Sequence, residues 1–417
     1  VTGSAETVLA TVVREEWGRL VSLLLAQFRR LDLVEDALGD AVEAAARRWP
    51  GDGVPDRPAA WLLTASRRRV LDRLRAEAMA QRRRPLLVTD AEHREEGTAP
   101  MADPGDLVED DLLRLVLVCT HPALAPEAAS ALTLRLVLGV STHDIARLFL
   151  VPEPTMAARI TRATKKVVAA GIPFAVPDAS VLPERLGSVA RTSYLAFTAG
   201  YAPGSGADLL RVELAGEAVR LVRVVRGLRP DEPVLVALLA LMLFQHSRRD
   251  ARLAGDGRLV LLADQDRSRW HRHEVAEAAA LLEHPALAGP VDVQTASYAL
   301  QARIAAEHAT SPTAADTRWD RVVHHYDQLV RLDPSPGARL ARAVAVAEAE
   351  GPREGLAALE GIQIPGSHRV DAVRAELLAW AHEPAPAREA YRRALALCRN
   401  DVERTHLAER LALLEQA

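Results

Sequence analysis

Cysteine is almost missing from this sequence. Cys119 and Cys398 are the only two, far apart and each within an apolar pattern of helical spacing. Neither a disulfide framework nor a cysteine zinc site is indicated, and reduced, buried thiols are expected. Aromatic residues are scarce at 4%, while Ala, Leu and Arg abound, a balance that favours helices. No apolar run reaches the roughly 18 residues that span a bilayer. The N-terminus lacks the basic-then-apolar order of a signal peptide, so a cytoplasmic protein with no membrane contact is expected. A strong excess of one charge is missing too. The net charge of -4 neither supports nor excludes nucleic acid, and local segregation must decide.

Catalytic patterns are also lacking. Gly204-Ser205-Gly206 has no Gly-Lys-Ser/Thr continuation and reads as a turn rather than a phosphate loop. His324 and His325 are adjacent, so they point to different sides of a helix and cannot form a zinc pair. His271 and His273 meet the same objection. The group Asp264, Gln265, Asp266, Arg267 and Trp270 leaves two readings open: a ligand site, or helix capping with an Asp–Arg pair around a core Trp. No nucleophile, base and oxyanion set can be assembled, so no enzyme, cofactor or metal is expected.

What is present is helix in quantity. At 417 residues, 49% hydrophobic and 26% charged, the chain should form two or three all-α domains. Residues 6–30 carry Val8, Leu9, Val12, Val13, Trp17, Leu20, Val21 and Leu24 at core-helix spacing. Asp32 and Glu35 fit a capping box opening a helix with Val34, Ala37, Leu38, Ala41, Val42 and Ala45 inward. Asp36, Asp40 and Glu43 form its acidic edge, and Arg47 and Arg48 close it. Trp49 to Pro58 has the glycines and prolines of a loop. Between Trp61 and Arg84, the arginines 67, 68, 69, 73, 75, 82, 83 and 84 face only Asp72 and Glu77. Such a cluster suits a phosphate backbone or, more plainly, a solvated helix face.

The stretch Ser141 to Ala169 reads as a helix-turn-helix. Thr142 is the expected N-cap of a first helix with Ile145, Ala146 and Phe149 on one face; Pro152 and Pro154 supply the turn. In the second helix, Met156, Ile160, Ala163 and Val167 fall four, three and four apart and form a buried stripe. Thr155, Ala158, Arg159, Arg162, Lys165 and Lys166 are left for the outward face, which suits DNA: the first positions reach base edges and the later cations neutralise phosphates. A solvated basic face on a structural hairpin is the competing reading.

The succession DLVEDALGDAVEAAARRWP, a Gly/Pro loop, then RPAAWLLTASRRRVLDRLR resembles region two of the extracytoplasmic-function (ECF) sigma factors, and residues 111–174 resemble their region four. The resemblance spans roughly the first 175 residues. It implies core RNA polymerase and promoter DNA as partners, with Asp36, Asp40 and Glu43 docking on the polymerase. Arg67, Arg68, Arg69, Arg73 and Arg75 would lie on promoter DNA, and Gly51, Asp52, Gly53 and Trp61 would line a pocket for an extruded base. The family usually has Asn where this chain has Arg68. Residues 85–110 are acidic, hold three prolines and read as a linker, one that lets two weak DNA modules act together.

Beyond Pro173 the helical patterns continue, with Asp256-Gly257 as a local hairpin turn. This part resembles the extension of one sigma subgroup with helical, tetratricopeptide-like C-terminal domains, although Thr198-Ala199 stands where that subgroup tends to have Asn-Glu. The runs from Trp319 and from Val370 read as helical hairpins that stack because each buries its apolar face only against neighbours. A non-repeating bundle is the other reading. The expected order is therefore 1–84 region two, 85–110 linker, 111–174 region four, 175–290 a helical extension and 291–417 hairpins. The extension would serve as sensor, as partner clamp through a regulatory protein, or as a cover through an intramolecular contact. The rival classes are a tetratricopeptide-type scaffold and an ordinary helix-turn-helix regulator.

Overall fold

The computed structural model describes residues 4–82, 105–149, 151–201, 212–255, 258 and 260–416. Among them there are eighteen α-helices, four short 3-10 turns and no strand, as composition and periodicity predict. The contacts divide the chain into two compact units, 1–192 and 193–417, a division that falls inside α8 (Leu182–Tyr201) rather than after Phe174.

The first unit begins with α1 (Ala5–Phe28), capped by the Ser4 hydroxyl, which accepts from the Thr7 amide. Its buried face is Leu9, Trp17, Leu20, Val21, Leu24 and Leu25; Val8, Val12 and Val13 are only half-buried. A left-handed Arg29 ends the helix and turns the chain into α2 (Leu31–Asp52). The capping box does not form. The helix opens one residue before Asp32 with no side-chain cap, because Arg30 grips the Asp32 carboxylate at 2.8 and 3.0 Å and Arg135 takes Glu35 at 2.7 Å.

The loop expected from Trp49 is shorter than the prolines and glycines suggest. Helix α2 runs on through Pro50, Gly51 and Asp52. Proline in a last turn forfeits one backbone bond but can be carried where the packing is good, and Trp49 is buried at that turn, edge-on to Trp61 with centroids 5.7 Å apart. The chain leaves the helix only at Gly53, whose φ of 86° favours glycine. Helix α3 (Pro58–Arg82) returns along α1 and α2.

Helix α4 (Gly105–Cys119) starts inside the stretch read as linker; residues 83–104, with Arg83 and Arg84, lie outside the described residues. It packs on α1 and on α5 (Pro126–Leu136). Two glycines permit the close approach of α1 to the segment after α5. A Cβ on Gly18 would sit 2.3 Å from the Val137 carbonyl oxygen, and one on Gly139, which has φ 70°, would meet Trp17 at 2.7 Å. Arg135 lies with its guanidinium 5.4 Å from the Trp17 ring while it holds Glu35. Cys119 is fully buried, and burial pushes its thiol pKa up.

In the second unit, α10 (Pro233–His246) is the axis. Every residue from Val234 to Phe244 is buried, under α9 (Val212–Leu228), α11 (Arg272–Leu282) and α12 (Val293–Thr310). A helix apolar all round can only be a core helix when too short to cross a bilayer, and none of the described helices is long and apolar enough to cross one. Residues 202–211, 256–257 and 259 lie outside the described residues, and with them the Gly204–Gly206 turn. The flanks of Asp256-Gly257 are joined as a hairpin would join them: Ala254 N–H donates to Arg258 O, and Val260 N–H to Arg252 O.

From α12 onward, each helix packs on the next: α13 (Trp319–Leu332), α14 (Pro336–Glu350), α15 (Pro352–Ala358), α16 (Arg369–Trp380), α17 (Pro384–Leu397) and α18 (Asp401–Gln416). Separate small cores form along this row, one around Val322 and Leu329, one around Leu340 and Leu359, one around Tyr391 and Cys398. Sequential cores of this kind follow from helical pairs that bury their faces only on neighbours.

Gly139→Ala should destabilise the first unit by about 1–3 kcal/mol, since the methyl both strains a left-handed backbone and displaces the Trp17 ring. Urea unfolding followed by tryptophan fluorescence measures it, and an unchanged midpoint would contradict the close approach.

Candidate nucleic-acid interface

The second helix of the expected helix-turn-helix is α7 (Glu153–Ala169), preceded by α6 (Thr142–Leu148). Ser141, not Thr142, caps α6: its hydroxyl accepts from the Asp144 amide at 3.0 Å. Moving the cap back one residue puts Leu148 with Ile145 and Ala146 in the core and leaves Phe149 half-buried at the helix end. The turn then contains Pro152, which stands as the N-cap of α7.

Helix α7 buries Met156, Ile160, Ala163, Thr164 and Val167 against α5 and α6. That is the four-three-four stripe read from the sequence, with Thr164 added because its hydroxyl is satisfied by the Ile160 carbonyl at 3.1 Å. Thr155, Ala158, Arg162, Lys165 and Lys166 are exposed, and Arg159 is half-buried. None of the four cations on this helix has an ion-pair partner among the described residues. Lys165 and Lys166 are the only two lysines in the whole chain. Among the described residues, these four unpaired cations, three exposed and Arg159 half-buried, form a surface suited to a polyanion, since no internal pair has to be broken to bind one.

The arginine helix α3 differs. Arg69 pairs with Asp40 at 3.2 Å, and Arg73 bridges Asp40 at 2.9 Å and Asp36 at 3.1 Å. The acidic edge and part of the basic cluster, read from the sequence as two separate surfaces, thus face each other across α2 and α3. Arg75 pairs with Asp72, Glu43 with Arg47, and Arg30 holds both Asp32 and Glu77. Arg67 lies 3.0 Å from the Gln27 terminal amide, whose oxygen accepts from it once the amide is turned. Arg68 alone among Arg67, Arg68, Arg69, Arg73 and Arg75 has no such contact among the described residues, and it is exposed. These pairs are largely solvent-exposed and contribute about 0–1 kcal/mol each, so a phosphate backbone can compete for the arginines. Sequence reading missed the pairing because Asp40 and Arg73 are 33 positions apart.

The residues expected to line a base pocket do not share a loop. Gly51 and Asp52 belong to the last turn of α2, exposed; Gly53 makes the turn; and Trp61, in the first turn of α3, is half-buried against Trp49.

A family model for sigma-70, region 4, matches residues 114–167, the span from α4 through α7. The chain therefore contains a sigma-70 helix-turn-helix domain, which supports a role in transcription. Residues 185–286 match a family of unknown function, DUF6596. An uncharacterized protein of Rhizobium meliloti (strain 1021) is 41% identical over 394 residues, covering 93% of this chain and 91% of that protein. The chain belongs to that protein's family. No solved structure matches.

Within the span of the DUF6596 match and beside it lies a buried polar cluster. The Tyr201 hydroxyl stands 2.5 Å from His246 Nδ1, and the Arg252 guanidinium lies 4.1 Å from the Tyr201 ring centroid. Arg249 donates to the His246 carbonyl and to Glu274, at 2.9 and 2.7 Å. Burial first, then the neighbouring Arg249, hold the His246 pKa down to about 3. Of the dense group 264–270, Asp266 caps a 3-10 turn by accepting from the Ser268 amide. The expected Asp–Arg pair is absent: Arg267 donates to the carbonyls of His308 and Ser311 and lies 4.6 Å from the ring centroid of buried Trp270.

A buried neutral His takes up its proton later than the unfolded chain does. Between pH 6.5 and about 3 the unfolded state binds more protons at His246, so stability falls as pH falls through that window. His246→Gln should therefore show a smaller loss of urea midpoint between pH 7 and 5 than the parent chain. Equal losses would mean that His246 is not held neutral.

Proposed function

We propose that this chain is a non-enzymatic alternative sigma factor of ECF type: it binds core RNA polymerase, recognises promoters, and carries a fused helical, tetratricopeptide-like domain that regulates or supports initiation. The observation that carries the reading is the α7 face, four cations without internal partners on the domain that matches sigma-70 region 4. Its early positions, exposed Thr155 and Ala158 and half-buried Arg159, are of the kind that enters a major groove, while Arg162, Lys165 and Lys166 follow as phosphate contacts. The helices α1 to α3 supply the second module, with Arg68 open on its surface and Arg67, Arg69, Arg73 and Arg75 available by exchange of partners. In this reading, Asp36, Asp40 and Glu43 leave Arg73, Arg69 and Arg47 to dock on the polymerase.

That exchange also favours a second reading. If the acid–arginine network of α2 and α3 stays closed, α7 is the sole DNA surface and the chain acts as an ordinary helix-turn-helix regulator that binds duplex DNA without polymerase.

Run-off transcription with core RNA polymerase on genomic promoter fragments separates the two. A promoter-specific transcript that depends on the full chain supports the sigma factor; duplex binding without a transcript supports the regulator. In either case Arg159→Ala should weaken specific binding by about 1–3 kcal/mol, read as a 5- to 150-fold rise in Kd at fixed salt. An unchanged Kd removes Arg159 from the base-reading set.

A further inference from the structure

At the meeting point of α16, α17 and α18, three side chains of different ligand chemistry converge. His368 stands just before the first residue of α16, Cys398 directly follows the last residue of α17, and Glu403 lies in the first turn of α18. An imidazole nitrogen, the thiol sulfur and a carboxylate oxygen all lie within 4.8 Å of one another. His368 Nε2 and Glu403 Oε2 are 3.3 Å apart. Two N or O ligands on one tetrahedral zinc, each at about 2.0–2.1 Å, stand roughly 3.3 Å apart as well, and a thiolate ligand stands roughly 3.5 Å from either. The sulfur has to approach by up to roughly 1.3 Å to reach that spacing.

The positions are braced from behind. The Asn400 side chain accepts from the Val402 and Glu403 amides, both at 3.1 Å, and so fixes the first turn that carries Glu403. Arg404 donates to the Cys398 carbonyl at 2.7 Å. Cys398 itself is 1% exposed and packs with Tyr391, Ala394 and Leu407, while His368 and Glu403 face a partly open edge. Such backing is what holds ligands in orientation around a metal.

We propose that His368, Cys398 and Glu403 bind one zinc ion, with a fourth position left to water or to a donor from a partner. The mixed sulfur, nitrogen and oxygen set suits zinc and excludes the hard, oxygen-seeking magnesium and calcium. On binding, the S–H bond of Cys398 breaks, its proton passes to solvent, and the sulfur lone pair bonds the metal. No oxidation state changes, and the thiolate and carboxylate together neutralise the two positive charges. The ion would tie together the ends of three helices that also meet through the small core around Tyr391 and through the Arg410–Glu376, Arg393–Asp371 and Arg392–Glu415 ion pairs. No residue of the site belongs to α7, so it stands whether or not the chain is a sigma factor. The competing arrangement is an ordinary His–Glu ion pair with a buried thiol beside it.

The test is titration of the reduced, metal-stripped full chain with cobalt(II), followed by displacement with zinc. One equivalent should produce a thiolate-to-cobalt charge-transfer band in the near ultraviolet, and zinc should abolish it. Cys398→Ser should remove the band, and His368→Gln and Glu403→Gln should each weaken binding at least tenfold. No band in the parent chain overturns the proposal. So does a band that survives in Cys398→Ser, or parent-like affinity in both His368→Gln and Glu403→Gln. Should Cys398→Ser fail to fold, those two partly exposed positions still decide.

Discussion

The first unit depends on how closely one helix can approach one chain segment. Gly18 and Gly139 leave room for α1 to lie against residues 137–139, where any side chain would collide with the Val137 carbonyl or with Trp17. Once that contact is made, the Trp17 ring is set beside the Arg135 guanidinium, and Arg135 in turn reaches Glu35 on α2. The helices α1–α3 and the helix-turn-helix domain are thereby joined through buried contacts and a half-buried ion pair. Interior packing tolerates little displacement, so α5, and with it the platform on which α7 rests, is placed by two missing methyl groups.

From that platform the charges sort themselves. On α7, the apolar stripe is turned into the domain and the cations are left outside without partners, ready for a polyanion. On α3, neighbouring α2 offers Asp36 and Asp40 within reach, and Arg69 and Arg73 take them. The two basic helices are alike in sequence and unlike in availability. An exposed pair is weak enough to exchange for a phosphate or a polymerase surface, which gives the α2–α3 network the character of a guard over the arginines rather than a permanent loss of them.

The second unit is built on the opposite principle. Helix α10 is apolar all round from Val234 to Phe244, so its neighbours must enclose it on every side, and the polar residues at its C-terminal end are drawn inward with their own partners: His246 with Tyr201, Arg249 with Glu274, Arg252 over Tyr201. Buried polar pairs such as Tyr201–His246 and Arg249–Glu274 specify one packing where apolar contacts alone would allow several. Beyond α12 the row of helices has no single core. A pair of shallow cavities of about 660 and 730 Å³ opens along it, sharing Leu261, Val344 and Glu348 in their walls, and burial raises the pKa of the Glu348 carboxyl there.

By itself the sequence determined whatever depends on periodicity within one helix: the all-helical class, the α7 stripe of Met156, Ile160, Ala163 and Val167, the outward basic face, and the burial of both cysteines. These are legible because neighbours three and four positions apart share a face regardless of the rest of the fold. It misplaced what rests on competition for a partner. Asp32 and Glu35 look like a capping box but are claimed by Arg30 and Arg135; Gly51 and Asp52 look like loop but are kept helical where Trp49 is buried. Tertiary structure alone decided the pairings across long separations: Asp40 with Arg73, Tyr201 with His246, and the convergence of His368, Cys398 and Glu403. The separations of 33 and 45 residues, and of 30 from His368 to Cys398, follow no local repeat, and only the packing of one helix on another brings these groups together.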